Sequence, residues 1–161
     1  MPTVAFHPAG RSLPCRNEFS LLGKLFQTSI RSDSDLGALA EARVGVDVLD
    51  RLGARGLKAH ALRFIISRRT LSCRRQNGER LSMDESDKAI RLARILIRTE
   101  VVFGNRGKAL IRLRGKQVRF AGKTALAMTV SEHGARLVEE APTRIDEGYF
   151  VGPAKFNLLA S

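Results

Sequence analysis

The stretch from Ser82 to Phe103 constrains the fold most strongly, because it predicts a long helix with a defined start. Ser82 and Glu85 have the spacing of a capping box, in which each side chain binds the backbone amide of the other residue. Acidic residues fill the first turn, where the helix dipole favours negative charge. Apolar residues then recur at helical spacing: Ile90, Leu92, Ala93, Leu96, Ile97, Val101 and Phe103. We predict a helix over 83–103 that packs against a core.

The rest of the chain also reads as helical. Its 161 residues suffice for one domain or two small ones, and 43% hydrophobic residues without Trp suit packing by Leu, Ile and Ala. A proline-rich arm is expected up to about residue 17, followed by a short amphipathic helix. Ser32 and its neighbours offer caps for a second helix, and Asp47 offers one for a third that stops before Gly56. We predict an all-α fold.

Residues 58–77 have the outline of a helix-turn-helix. Two short helical segments are separated by a tight polar break, and the second ends at Asn77-Gly78. Ser67 is a good N-cap for the second helix, in which Leu71 is expected to face the core. Cys73 is expected to be half-buried packing rather than a nucleophile.

Positive charge is concentrated in the same region. The whole chain carries a formal net charge of +12, and residues 58–80 contain seven Lys and Arg residues against the single acid Glu79. Such an excess points to nucleic acid, an acidic protein or an anionic membrane surface. Long cations suit phosphate contacts, and Arg68, Arg69, Thr70 and Gln76 are of the types that read base edges. The alternative is a surface helix whose arginines face water.

The sequence gives little support for a catalytic site or a metal site. His7, His60 and His133 are far apart, Cys15 and Cys73 form no CxxC pair, and the glycine-containing loops lack the P-loop spacing. We therefore predict no enzyme activity, no metal and no cofactor. Since the chain has neither a signal-peptide core nor an 18-residue apolar run, we predict a cytoplasmic protein that does not enter a membrane.

Several motifs occur together in a specific order. They are "ISRRTLSCRR" (66–75), "LSMDESDKAIRLARIL" (81–96), "VFGN" (102–105), "FAGKTALAM" (120–128), "GARLVEEAPTRIDEG" (134–148) and the following "YF". Through them the chain, from about residue 36 to 150, resembles the Xre-type antitoxins of RES–Xre toxin–antitoxin systems. The resemblance implies a homodimer that binds its own operator DNA as an autorepressor. It also implies that the C-terminal part occludes the active site of a RES-domain toxin, an enzyme that degrades NAD.

The resemblance also assigns sites and boundaries. The residues that match the DNA-binding motif are Arg68, Arg69, Thr70, Arg74 and Arg75, and we add the neighbouring cation Lys58 to the predicted DNA-binding set. The toxin-binding set is Arg144, Gly148, Tyr149 and Phe150. The implied division is an arm and short helix (1–31), a helix-turn-helix region (32–80), a helical toxin-binding domain (81–150) and a tail (151–161).

The chain departs from the family pattern at several positions. Ile65 stands where many members have the turn glycine, which predicts a looser break between the two short helices. Further departures occur at Arg112, Gln117, Ala125 and Pro142. Two other functions stay open: a free-standing helix-turn-helix regulator without a toxin, and a basic interaction protein that binds an acidic partner.

Overall fold

The computed structural model describes residues 14–129, 131 and 133–138, and over these it is helical with no strand. A single isolated bridge joins Lys116 and Thr124. The named helices are α1 (Pro14–Phe26), α2 (Asp33–Glu41), α3 (Asp47–Ala54), α4 (Ala59–Leu62), α5 (Arg68–Asn77), α6 (Met83–Phe103), α7 (Arg106–Arg114) and α8 (Ala125–Met128). A 3₁₀ turn spans Val118–Phe120, and residues 133–138 are also helical. The predicted all-α class is confirmed.

Helix α6 is the centre of the fold. It begins and ends where the sequence predicted, with the capping box of Ser82 and Glu85 formed and Gly104 in the left-handed conformation at its end. Its buried residues include Leu92, Ile95, Leu96 and Ile97, of which none is more than 3% exposed. Helices α1, α2 and α7 all pack against α6. One hydrophobic core therefore gathers around a single helix.

Two N-terminal details differ from the sequence prediction. Helix α1 already begins at Pro14, inside the predicted arm, since proline is well tolerated in the first turn of a helix. Asp47 is not the cap of α3: it is the first helical residue, Val46 occupies the cap, and the Asp47 carboxylate accepts a hydrogen bond from Arg51. The predicted cap of α2 is confirmed, because Ser32 accepts from the Asp35 amide.

The core crosses the predicted boundary at residue 80. Buried residues from Leu22 to Val138 form one contiguous cluster, in which Leu49 and Leu52 of α3 join Leu96 of α6. The Val44 amide donates to the buried hydroxyl of Ser86 at 2.9 Å, and Leu81 donates to the Val44 carbonyl at 2.9 Å. The helix-turn-helix region is thus fixed directly to the N-terminal end of α6.

Candidate nucleic-acid interface

The predicted helix-turn-helix consists of α4, a short turn and α5. The amides of Phe64, Ile65 and Ile66 bind carbonyls in α4 at 3.0–3.3 Å, so the chain turns tightly after Leu62. Ile65 and Ile66 are 4% and 6% exposed and fasten the turn to the core. No residue between 63 and 67 has a positive φ, so the turn does not require glycine, and the looser break predicted at Ile65 stays a prediction.

Helix α5 has well-formed ends. Ser67 accepts a hydrogen bond from the Thr70 amide at 3.1 Å, as its N-cap position predicted. Gly78 adopts the left-handed conformation at the C-terminus, where glycine costs least, and the Glu79 amide binds the Arg74 carbonyl at 2.9 Å. Ser67 and Gly78 therefore define the start and the end of α5.

Helix α5 lies on the surface. None of its ten residues is fully buried, and Leu71 is the partly buried apolar residue through which it packs on the core. The exposed side of α5 is therefore accessible to a DNA groove without any rearrangement of the core. Cys73 is exposed, so the predicted half-buried position is wrong: it lies away from the face that carries Leu71.

The strongest DNA-contact candidates are the cations at the N-terminal end of α5. Arg68 and Arg69 are exposed, and their side chains form no ion pair or hydrogen bond with the residues that the structure describes. Lys58, at the start of α4, is likewise exposed and makes no such side-chain contact within the described chain. Unpaired guanidinium groups at the start of a surface helix have the chemistry that phosphates and guanine edges require.

Thr70 and Arg75 are exposed but already engaged. The Thr70 hydroxyl lies 2.8 Å from the Ser67 hydroxyl and so supports the helix cap. Arg75 donates to Asp50 of α3 at 2.7 Å, with side chains 46% and 68% exposed. A surface pair of this kind is weak, about 0–1 kcal/mol, so Arg75 can exchange the carboxylate for a phosphate at little cost.

Arg74 has a different position from the other five. Its guanidinium contacts Glu85 through two nitrogens, at 2.9 and 3.2 Å, and Glu79 at 3.3 Å. The side chains of Arg74 and Glu85 are only 20% and 13% exposed. The same Glu85 closes the capping box of α6, so Arg74 ties α5 to the start of the central helix. We assign Arg74 to holding the interface in place and not to contacting DNA.

Sequence reasoning missed this role although a signal was present. Arg74 follows Leu71 by three residues, which places both side chains on one face of the helix. Glu79 and Glu85 follow within the next eleven residues. An arginine on the inward face with two nearby carboxylates is more often a structural clamp than a free cation.

The predicted toxin-binding residues, Arg144, Gly148, Tyr149 and Phe150, lie outside the described residues, as does Pro142. Within the described ranges, no group of three His, Cys, Asp or Glu side chains could hold a metal ion. None of the helices described there combines the length and apolar character that crossing a bilayer requires.

Comparison with known proteins agrees with the resemblance found in the motifs. The chain is 41% identical over 85 residues to a protein named Antitoxin Xre from Pseudomonas putida strain KT2440. The match covers 53% of this chain and 54% of that protein, so the chain spans about half the length of this relative. No protein-family model matches the chain. The similarity to Xre-type antitoxins is thus confirmed over about half of the sequence.

Proposed function

We propose that this chain is an antitoxin that neutralises a RES-type toxin and represses its own operon. The observation that carries the proposal is the 41% identity over 85 residues to a protein named Antitoxin Xre. A length of 85 residues at this identity supports a common fold and a related role. We place both activities in the cytoplasm, where the operator DNA lies.

The DNA-binding half of the proposal is supported by the surface of α5. Arg68 and Arg69 are exposed, have no partner among the described residues and stand next to a capped helix start. In a helix-turn-helix protein, the N-terminal residues of the second helix contact base edges in the major groove. We propose that a homodimer places two such helices on two half-sites of the operator.

The toxin-binding half requires no catalysis by this chain. We propose that the segment around Tyr149 and Phe150, with Arg144 nearby, fills the substrate cleft of the toxin and excludes NAD. A buried aromatic anchor with a charged neighbour is a common centre of a tight protein interface. Occlusion needs only shape complementarity and affinity.

The test is co-expression with the product of the adjacent reading frame. We expect that product to be toxic when it is expressed alone and to lower the cellular NAD concentration. Co-expression of this chain should rescue the cells, and the two proteins should co-purify as a 1:1 or higher-order complex. Replacing Tyr149 and Phe150 together by Ala should remove the rescue while operator binding persists. A neighbour that is harmless and never co-purifies would leave a free-standing DNA-binding regulator as the function.

A further inference from the structure

A second positively charged surface follows the central helix. Residues 101–131 contain no Asp or Glu but seven cations, Arg106, Lys108, Arg112, Arg114, Lys116, Arg119 and Lys123. All seven are exposed. We call these seven residues the α7 basic surface; they lie outside the helix-turn-helix.

Three of the seven cations contact the protein itself. Arg106 lies 3.4 Å from a Glu100 oxygen, and Arg114 donates to the carbonyl of Gly56. Arg119 lies over the Phe120 ring, with 5.8 Å between the guanidinium carbon and the ring centroid, and keeps its charge toward solvent. Lys108, Arg112, Lys116 and Lys123 have no ion-pair partner among the described residues. The surface therefore carries a local positive charge that the chain does not neutralise.

Helix α7 contacts the segment that leads into α4. The Arg114 contact reaches Gly56, which lies two residues before Lys58 and the start of α4. Leu110 of α7 also packs closely against Gly56: a Cβ atom added at Gly56 would lie only 2.5 Å from the Leu110 side chain. Lys58 is exposed and follows this contact point by two residues along the chain.

The chemistry of this surface selects its occupant. A second copy of the chain is disfavoured, because equal positive surfaces repel. Ile111 and Val118, 74% and 93% exposed, would suit a protein partner, but the cations outnumber them and no acid interrupts the row. Phosphate contacts are made largely by Lys and Arg side chains and carry no sequence information directly. A polyanion therefore fits the surface best.

We propose that the α7 basic surface binds the phosphate backbone of duplex DNA beside the site read by α5. The inference rests on the proposed operator binding and extends it with a sequence-independent contact. It predicts a footprint longer than the recognition helix alone would protect, and a steep dependence of affinity on salt.

The experiment compares two triple variants of the full chain. The test variant is Lys108→Gln, Arg112→Gln and Lys116→Gln, and the control removes equal charge elsewhere through Lys24→Gln, Arg31→Gln and Arg136→Gln, all exposed. Binding to the operator duplex and to a random duplex is measured between 50 and 200 mM salt. Losing three phosphate contacts should make the negative slope of log K against log salt shallower by about 3 on both duplexes. The control should keep the slope of the unmodified chain.

The outcomes separate this inference from the proposed function. A charge-keeping variant, Lys108→Arg, Arg112→Lys and Lys116→Arg, should keep the slope, and circular dichroism checks that each variant is folded. If the test variant binds DNA with an unchanged slope while Arg68→Ala with Arg69→Ala abolishes operator preference, the α7 contact is refuted and operator binding stands. If the test variant instead loses the toxin, the surface belongs to the protein partner. If the unmodified chain binds neither duplex, both proposals fall.

Discussion

At the scale of single residues, the nearest carboxylate decides what an arginine does. Arg68, Arg74 and Arg75 belong to one helix, yet only Arg74 lies between two carboxylates at a half-buried position. Burial removes water that would otherwise compete, so this contact is stronger than the exposed pair of Arg75 and Asp50. The three residues are alike in sequence and differ in function because of their surroundings.

We expect Arg74→Ala to lower the free energy of unfolding by about 1.5–3 kcal/mol, since it leaves Glu85 without its charged partner. Arg75→Ala is the matched control and should cost less than about 1 kcal/mol. Urea denaturation followed by circular dichroism measures both. Equal losses in the two variants would contradict the structural role of Arg74.

At the scale of elements, the turn between α4 and α5 is held by packing and not by glycine. Ile65 is 4% exposed, and no residue of the turn has a positive φ. A glycine there would add freedom to the unfolded chain and remove a buried side chain. The packing of Ile65 therefore stabilises this turn more than a glycine would.

Replacing Ile65 by the glycine that is usual in the family should destabilise the protein by at least about 2.5 kcal/mol. Ile65→Val keeps most of the packing and should cost about 0.5–1.5 kcal/mol. Thermal unfolding of the two variants distinguishes a turn that is stabilised by the packing of Ile65 from a turn that is set by its backbone conformation. A glycine variant as stable as the unmodified chain would show that the turn is set by its backbone alone.

Local signals of the sequence predicted elements well and contacts poorly. The capping box at Ser82, the cap at Ser67 and the left-handed Gly78 each depend on neighbours within four residues, and each is confirmed. Ala125, named from the sequence as a departure, is the first residue of α8 after the cap Thr124. The Arg74–Glu85 contact depends on how α5 meets α6. No periodicity in the sequence carries that information.

At the scale of the whole molecule, ion pairs tie the helices to α6 from several sides. Glu18 of α1 is 4% exposed and binds Arg98 through two nitrogens at 3.2 Å, while Arg94 lies 3.5 Å away. Arg94 also lies 2.8 Å from Asp33 of α2. Arg55, the residue that follows α3, donates to Glu100 of α6 at 2.8 Å. These arginines therefore stabilise the packing of the helices.

Glu18→Ala should destabilise the whole chain by about 3–5 kcal/mol, because it removes the buried carboxylate that contacts the partly buried guanidinium groups of Arg94 and Arg98. Asp84→Ala, which removes the exposed partner of Lys88, is the control and should cost below about 1 kcal/mol. Since one core spans both halves, a single cooperative transition is expected for each variant. Separate transitions for α1 and the rest would contradict a core organised around α6.

The central claim is that two surfaces of one chain carry two functions, and the double variant Arg68→Ala with Arg69→Ala tests it most directly. Operator affinity and rescue from the co-expressed toxin are measured on the same protein, with circular dichroism to confirm folding. We predict that operator binding weakens by at least about tenfold, which corresponds to 1.4 kcal/mol, while rescue is unchanged. Unchanged operator affinity, or loss of both activities in a folded protein, would contradict the account.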